Sequence, residues 1–369
     1  MVEYDAFGPE KIIEVYNPRV GMKGFIVIDN TSLGPGKGGI RMTPTVSLDE
    51  VVKLARTMTW KCSLAGLPFG GAKSGIIADP KEISKEKKKE IVEAFSKAVK
   101  IFVPDLYVAA PDINTAEEEM EWFAKANGNK KSCTGKPKKM GGLPHELGST
   151  GFGIAQAAFI ALKHMKKNIK GATFAVEGFG NVGTFVAKFL TEAGAKFVAV
   201  SDSKGSIYIK EGIDYEKLMK VKEKTGSVIN YDGKKSSCGN IIHAHVDVLI
   251  TAAIPDVIKV GDVDSIKAKL IVEGSNIPMT EQVEMLLHKK GILVVPDFVA
   301  NAGGVISSYV EYIGGNEKKM FKMVEEKIKK NTEIVLNLAK KNKTYPRKAA
   351  MEIAQKRVFK KCDFCSIKF

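Results

Sequence analysis

Thr173-Phe-Ala-Val-Glu-Gly178-Phe-Gly180-Asn-Val-Gly183-Thr-Phe-Val-Ala-Lys-Phe-Leu-Thr-Glu-Ala193 is the stretch that decides the fold. The apolar run before Gly178 reads as a buried strand. Beyond the glycines, Val182, Phe185, Val186, Phe189 and Leu190 recur at helical spacing. A second strand, Lys196–Ser201, ends at Asp202, 19 residues past Gly183. Strand, G-x-G-x-x-G turn, helix, strand, acid is the order that binds a dinucleotide. Gly178 permits the tight turn, Gly180 lets backbone approach a pyrophosphate, and Gly183 lets helix pack on strand. The amides of the helix start, at Asn181 and Val182, then face the phosphates. Asp202 is placed to accept hydrogen bonds from ribose hydroxyls, which favours NAD. Ser201, Ser203 and Lys204 around it leave NADP open.

Working outward, Val246–Ile250, Leu270–Val272 and Ile292–Val295 are further strand candidates alternating with helical stretches, the pattern of a parallel, doubly wound sheet. Towards the N-terminus, Gly24–Asn30 reads as a strand and Gly34-Pro-Gly-Lys-Gly-Gly39 as a glycine-rich turn. Leu48–Leu64 and Ser84–Phe102 have helical apolar spacing, and Thr115-Ala-Glu-Glu118 reads as a capping box for a helix over Glu117–Ala126. Residues Gly128–Ser149, rich in Gly, Lys and Pro, read as a crossing between domains. The tail from Glu317 to Lys361 reads as helical.

A chain of 369 residues with 44% apolar and 27% charged residues has the composition of an ordinary globular protein of two domains. Its net charge of +15 is almost all lysine, interspersed with glutamate on helical stretches, and only five of 57 basic residues are arginine. That pattern fits solvated helix faces better than a nucleic-acid reader, which relies on arginine and exposed aromatics. The weakly polar stretch Gly151–Leu162 is too short to span a bilayer, and the N-terminus lacks the features of a secretory signal. No membrane association and a cytoplasmic location are expected. The five scattered cysteines fit a reducing compartment. Cys362-x-x-Cys365 lacks the second ligand pair of a zinc site, and His243-Ala-His245 is too close a spacing to stand as a metal motif, so no metal is expected.

Three lysines stand apart by their surroundings. Lys73 lies in Pro68-Phe-Gly-Gly-Ala-Lys-Ser-Gly-Ile-Ile77, Lys61 in Thr57-Met-Thr-Trp-Lys-Cys-Ser-Leu64, and Lys37 before Gly38-Gly39. An amine in apolar surroundings has its pKa drawn down and can act as a base near neutral pH. Singly, each is as readily a snorkelling surface charge.

Taken together, Gly34-Pro-Gly-Lys-Gly-Gly-Ile-Arg-Met42, Met58-Thr-Trp-Lys61, Leu67-Pro-Phe-Gly-Gly-Ala-Lys73-Ser-Gly75, Ala110-Pro-Asp112-Ile-Asn, Thr134-Gly-Lys-Pro137, Gly178–Gly183, Glu273-Gly-Ser-Asn276 and Pro296-Asp-Phe-Val-Ala-Asn-Ala-Gly-Gly304 resemble the Glu/Leu/Phe/Val dehydrogenase family over nearly the whole chain. The resemblance implies that Lys73 activates water for attack on an imino intermediate and that Asp112 shuttles a proton to and from the substrate nitrogen. It places Lys61 on the substrate α-carboxylate, Thr150 and Asn181 by the cofactor, and Asn276 and Asn301 near the nicotinamide and the reacting carbon. It also implies an α/β fold of two domains around a cleft, the second a Rossmann-type doubly wound sheet. The first domain, residues 1–145, would bind substrate and make subunit contacts. The second, 146–334, would bind the dinucleotide, and helices 335–369 would return to the first. A homo-oligomer, hexamer or octamer, is implied as well.

Substrate choice rests on pocket charge. Members acting on glutamate are similar to this chain at Lys37 and Ser308, a cation and a hydroxyl for a distal carboxylate. An unpaired lysine there is costly for apolar substrates. The expected reaction is the reversible NAD(P)-dependent oxidative deamination of L-glutamate to 2-oxoglutarate and ammonia, with leucine, valine or phenylalanine as the alternative substrate. A 2-hydroxyacid dehydrogenase is disfavoured because no His–acid pair with a carboxylate-binding Arg is evident. A silent nucleotide-binding protein is disfavoured because Lys73 and Asp112 are both retained.

Overall fold

The computed structural model describes residues 2–144 and 147–365. Two compact units emerge. One takes the described residues up to Leu147, Val305–Met320 and those from Ile353 onward; the other takes Gly148–Gly304 and Phe321–Glu352. The junction expected between 145 and 146 lies outside the described residues.

The first unit runs β1 (Lys11–Asn17), β2 (Met22–Asn30), β3 (Gly36–Thr43), α1 (Leu48–Leu64), β4 (Gly70–Ile77), α2 (Lys85–Ala98), β5 (Tyr107–Pro111) and α3 (Glu117–Asn127). The sheet order is β1-β2-β4-β3-β5, antiparallel from β1 to β4 and parallel from β4 to β5. Both faces are covered, so the middle of β2, Phe25 to Ile28, is an unbroken apolar run. Ile26 and Ile28 join a core with Phe95 of α2 and Phe123 of α3, while Val27 packs with Val51 and Ala55 of α1.

The glycine run at 34–39 is not simply a turn. From Gly36 it is strand β3, in the interior of the sheet. A Cβ at Gly38 would lie 1.7 Å from the Ala72 carbonyl oxygen, and one at Gly71 2.1 Å from Thr59 Oγ1. The glycines mark close approach of backbones.

Ser47 and Ser84 cap α1 and α2 by accepting the Glu50 and Lys87 amides. At α3 the cap falls one residue later than expected. Ala116 occupies the N-cap and Glu119 Oε2 accepts its amide at 2.7 Å. Thr115 is occupied elsewhere: its Oγ1 accepts the Asp112 amide and donates to the Ile40 carbonyl.

The second unit contains α4 (Ser149–His164), β6 (Thr173–Glu177), α5 (Asn181–Glu192), β7 (Lys196–Asp202), β8 (Gly205–Tyr208), α6 (Tyr215–Thr225), β9 (Lys234–Ser236), β10 (Val248–Thr251), β11 (Leu270–Glu273), α7 (Glu281–Lys289), β12 (Leu293–Val295) and α8 (Asp297–Ala300). Three helices complete the chain: α9 (Gly303–Tyr312), α10 (Glu317–Lys341) and α11 (Pro346–Phe359). The sheet order is β12-β11-β10-β6-β7-β8-β9, parallel from β12 to β7. It is the doubly wound sheet anticipated, extended by antiparallel β8 and β9. The chain leaves β6 for β7 on one side and returns to β10 on the other, so the switch point lies where β6 and β10 end.

Cys362 and Cys365, expected as reduced thiols, are joined in a disulfide, whereas Cys62, Cys133 and Cys238 are free. Among the described residues no helix is long and apolar enough to cross a membrane.

Candidate active site

In the first unit, β3, β4 and the end of β5 lie side by side, and each presents a charged group to the same spot. Lys73 on β4 reaches Asp112, just past β5, with 3.1 Å between Nζ and Oδ2. Arg41 on β3 donates from Nε to the same oxygen at 2.8 Å and pairs with Glu50 of α1 through Nη1. Thr115 holds the Asp112 backbone through its hydroxyl at 2.9 Å. Gly39 makes the approach possible: a Cβ there would lie 2.7 Å from Asp112 Cβ. Lys73 is 6% exposed. Burial draws its pKa below the usual lysine range, more than Asp112 restores it. Burial pushes the Asp112 carboxyl up, but Lys73 and Arg41 outweigh it and hold the group low. The result is a half-buried carboxylate beside a buried amine that gives up its proton readily. Beneath them, the Tyr107 hydroxyl bridges Ser74 Oγ (2.8 Å) and the Gly38 carbonyl (3.0 Å), tying β5 to β4 and β3.

Lys37, on β3, is 1% exposed, and its Nζ donates to the carbonyls of Val108 (3.3 Å) and Ala109 (2.8 Å). Burial takes its pKa down to about 7. Lys61 is half-buried in the last turn of α1. Ser308 is half-buried on α9, and one turn on Glu311 accepts the amides of Gly135, Lys136 and Leu143 and the Lys136 ammonium at 2.6 Å.

In the second unit, three parallel strands end in carboxylates that organise the loops beyond them. Glu177 of β6 accepts the amides of Ala252 and Ala253, drawing the end of β10 against Gly178. Gly178 has φ +89, and a Cβ there would meet Ala253 Cβ at 2.4 Å. Gly183 is equally constrained, its Cβ falling 1.8 Å from the Gly178 carbonyl. A Cβ at Gly180 meets nothing within 4 Å, and no side chain caps α5 there. The amides of Asn181 and Val182 therefore open onto free space, as a pyrophosphate requires. Thr150 lies in the first turn of α4, against the start of α9, where a Cβ at Gly304 would come within 3.0 Å of its Oγ1.

Asp202 does not stand as the sequence suggested. Its Oδ1 accepts from the Lys204 amide (2.9 Å) and Ser227 Oγ (3.0 Å), and its Oδ2 from the Val228 amide (2.8 Å) and Lys222 Nζ (3.1 Å). A carboxylate has about four acceptor positions, so none remains for a ribose hydroxyl. The third acid, Glu273 of β11, belongs to a buried cluster with Glu284, Asp297 and Arg347. Above it Asn301 donates from Nδ2 to Asn276 Oδ1 (2.9 Å) and to the Gly274 carbonyl (3.2 Å), joining the two asparagines.

Residues 141–364 match the family described as Glutamate/Leucine/Phenylalanine/Valine dehydrogenase, and residues 9–128 match the Glu/Leu/Phe/Val dehydrogenase dimerisation domain. This chain belongs to that family. Its members include the glutamate dehydrogenase of Aeropyrum pernix, 44% identical over 349 residues, covering 90% of this chain and 84% of that protein. The NADP-specific glutamate dehydrogenase of Saccharolobus shibatae is 40% identical over 337 residues, covering 87% and 79%. Among solved structures, glutamate dehydrogenase of Peptoniphilus asaccharolyticus has a TM-score of 0.85 at 30% identity, covering 96% of this chain and 91% of that one. The hetero-hexameric glutamate dehydrogenase of Thermus thermophilus, in a Leu-bound form, has a TM-score of 0.86 at 27% identity, covering 98% and 91%. Membership makes the chain an NAD(P)-dependent oxidoreductase of amino acids, and the open amides beyond Gly180 fit such a cofactor.

Several working contacts escaped the sequence reading. Arg41 was visible as one of five arginines and sat inside a quoted motif. Glu311 and Arg347 had no local signal, because their partners lie far away in the chain.

Proposed function

We propose that this chain catalyses the reversible oxidative deamination of L-glutamate to 2-oxoglutarate and ammonia, with Lys73 and Asp112 as the catalytic pair. The observation that carries the reading is the buried Lys73–Asp112 contact at 3.1 Å, with the lysine pKa drawn down by burial. Asp112 takes the proton from the substrate ammonium, freeing the nitrogen lone pair. The bound nicotinamide supplies the hydride acceptor for the α-carbon. Lys73, in its amine form, removes a proton from water as that water adds to the resulting iminium carbon. Asp112 returns its proton to nitrogen, and ammonia leaves as the carbonyl forms, with the hydroxyl proton passing to the freed Asp112 carboxylate. Arg41 keeps Asp112 ionised and aimed. Lys61 takes the α-carboxylate; Lys37 and Ser308 set the preference for a distal carboxylate. Lys37 is buried and donates to two carbonyls, so a substrate carboxylate supplies it with a directly bonded counter-charge.

The dinucleotide is held at Gly178, Gly180, Asn181, Val182 and Gly183, with Thr150, Asn276 and Asn301 towards its nicotinamide end. NADP is favoured over NAD, because Lys222 and three further donors satisfy Asp202 while Ser203 and Lys204 stand exposed beside it. The enzyme works as a homo-oligomer, with residues 9–128 supplying subunit contacts, and it acts in the cytoplasm, in keeping with its three free thiols.

The test is a matrix of kcat/KM for glutamate, leucine, valine and phenylalanine with NAD and NADP. Glutamate with NADP should give the highest value. Leucine or phenylalanine leading would sink the Lys37 argument, and NAD leading would sink the cofactor argument.

A further inference from the structure

Four charged side chains meet beneath Asn276 and Asn301, and the chemistry above uses none of them. Glu273 ends β11, Glu284 lies on α7, Asp297 opens α8, and Arg347 sits in the first turn of α11. Arg347 Nη2 donates to Glu273 Oε2 and Asp297 Oδ1 at 2.9 Å each, and its Nε to Glu284 Oε1 at 2.5 Å. Its guanidinium also lies over the Phe298 ring, 5.4 Å from the centroid.

One guanidinium cannot balance both of the buried glutamates it joins. Glu273 and Glu284 are fully buried, and Glu273 Oε1 and Glu284 Oε2 have no donor. The two carboxyls lie side by side on one guanidinium, through its Nη2 and its Nε. A hydrogen bond between carboxyls needs a proton, and so does the charge count. We propose that Glu273 and Glu284 share one proton, and that this proton fixes the paired asparagines of the cofactor site, so that its loss in alkaline solution weakens cofactor binding.

The mechanical link is short. Glu273 Oε2 accepts the Asp297 amide at 2.8 Å, and Asp297 Oδ2 accepts the Ile277 amide at 2.9 Å. The Asn301 amide then bonds the Asp297 carbonyl at 2.8 Å. Ile277 follows Asn276 directly, so both asparagines hang from the one cluster. Burial first, and then the charge of its partner, push the Glu273 carboxyl well above the usual range; burial does the same to Glu284. The folded protein therefore holds a proton that the unfolded chain releases above the ordinary carboxylate pKa, and stability falls as pH rises from there. Facing the pair are Arg347 and Asp297, with Tyr345, hydrogen-bonded to Glu281 of α7, and His288 farther out. Tyr345 bonds Glu281 and His288 packs on Tyr345, so a change at Glu284 alters the shared proton and the contact with Arg347. Arg347, Glu273 and Glu284 are positioning residues for the cofactor reading on which this inference rests.

The experiment measures the Kd of NADPH against pH on the whole protein, for the parent and for Glu284→Gln. The glutamine amide can donate to Glu273 Oε1, replacing the proton with one that does not titrate. The parent should lose affinity on an alkaline limb by about tenfold per pH unit beyond the pair's titration. Glu284→Gln should bind NADPH with a Kd that does not rise with pH, whatever its value at neutral pH. An unchanged limb in the variant, or a parent that binds at neutral pH without any limb, overturns the inference. A parent that binds neither NADPH nor NADH at any pH overturns the cofactor reading instead. Should the variant not fold, the parent's infrared spectrum decides: a protonated carboxylic acid band present at neutral pH and lost in alkaline solution is expected, and its absence at neutral pH is fatal.

Discussion

Replacing Lys37 by methionine should make the protein more stable and a worse glutamate enzyme, and the two effects have one origin. The Lys37 ammonium is fully enclosed between strands, and burial moves its pKa from 10.5 to about 7. That displacement corresponds to about 5 kcal/mol against the charged form. Below about pH 7 the folded protein must carry the buried charge, and the penalty is present in full. Between 7 and 10.5 the unfolded chain binds more protons than the folded one, so stability rises with pH as the penalty fades. Methionine fills nearly the same space without the charge. Loss of the charge-assisted bonds to Val108, long at 3.3 Å, and Ala109, about 1.5–2 kcal/mol each, takes back roughly 3–4 kcal/mol of the relief. A net gain of about 1–2 kcal/mol near pH 6 is expected, shrinking towards zero by about pH 10. Urea midpoints at fixed protein concentration would read it. In the same variant the distal carboxylate of glutamate loses its counter-charge, which is worth about 2–5 kcal/mol, so kcat/KM for glutamate should fall by about 30-fold or more while that for leucine holds or rises. A variant that is less stable than the parent near pH 6, or that turns over glutamate normally, would refute the reasoning.

Two further substitutions probe the two units separately. Gly39→Ala places a methyl 2.7 Å from Asp112 Cβ and from the Pro111 carbonyl, so kcat should drop by about tenfold or more with cofactor Kd unchanged in a binding titration. Ile277 has φ +50 and is 48% exposed, a left-handed conformation that a β-branched residue adopts at a penalty of about 1–2 kcal/mol. Ile277→Gly should therefore raise the unfolding free energy by roughly 1 kcal/mol after the entropy of glycine is counted, measured by urea denaturation.

The dinucleotide-binding sheet was legible because its strands are short apolar runs punctuated by glycine, and Thr173–Glu177 falls where the sequence placed it. Two additions were not. Strand β9 is Lys-Lys-Ser, fully exposed at a sheet edge, where charged residues guard against pairing with other chains. In the first unit glycine misled: the residues of β3 look like a turn until the neighbouring backbones of β4 and β5 are known. Lys73 and Asp112 were found by motif, and the structure brings them into contact, but nothing local indicated that Arg41 would share the same carboxylate oxygen. Asp202 is a different case. Its partners Lys222, Ser227 and Val228 lie 20 to 26 residues downstream, and no sequence spacing announces that a later loop will fold back and satisfy an acid. Arg347 is the same case at longer range, a single arginine whose three carboxylates come from three other elements.

Lys73 is the residue on which the chemistry depends. Steady-state turnover of glutamate by Lys73→Ala, with NADPH affinity measured in parallel, tests it most directly. The amine is required as a base, so kcat should fall by about 10²–10⁴ with cofactor Kd unchanged, since the Gly178–Gly183 turn belongs to the other unit. Turnover at the parent's rate in that variant would contradict the mechanism outright.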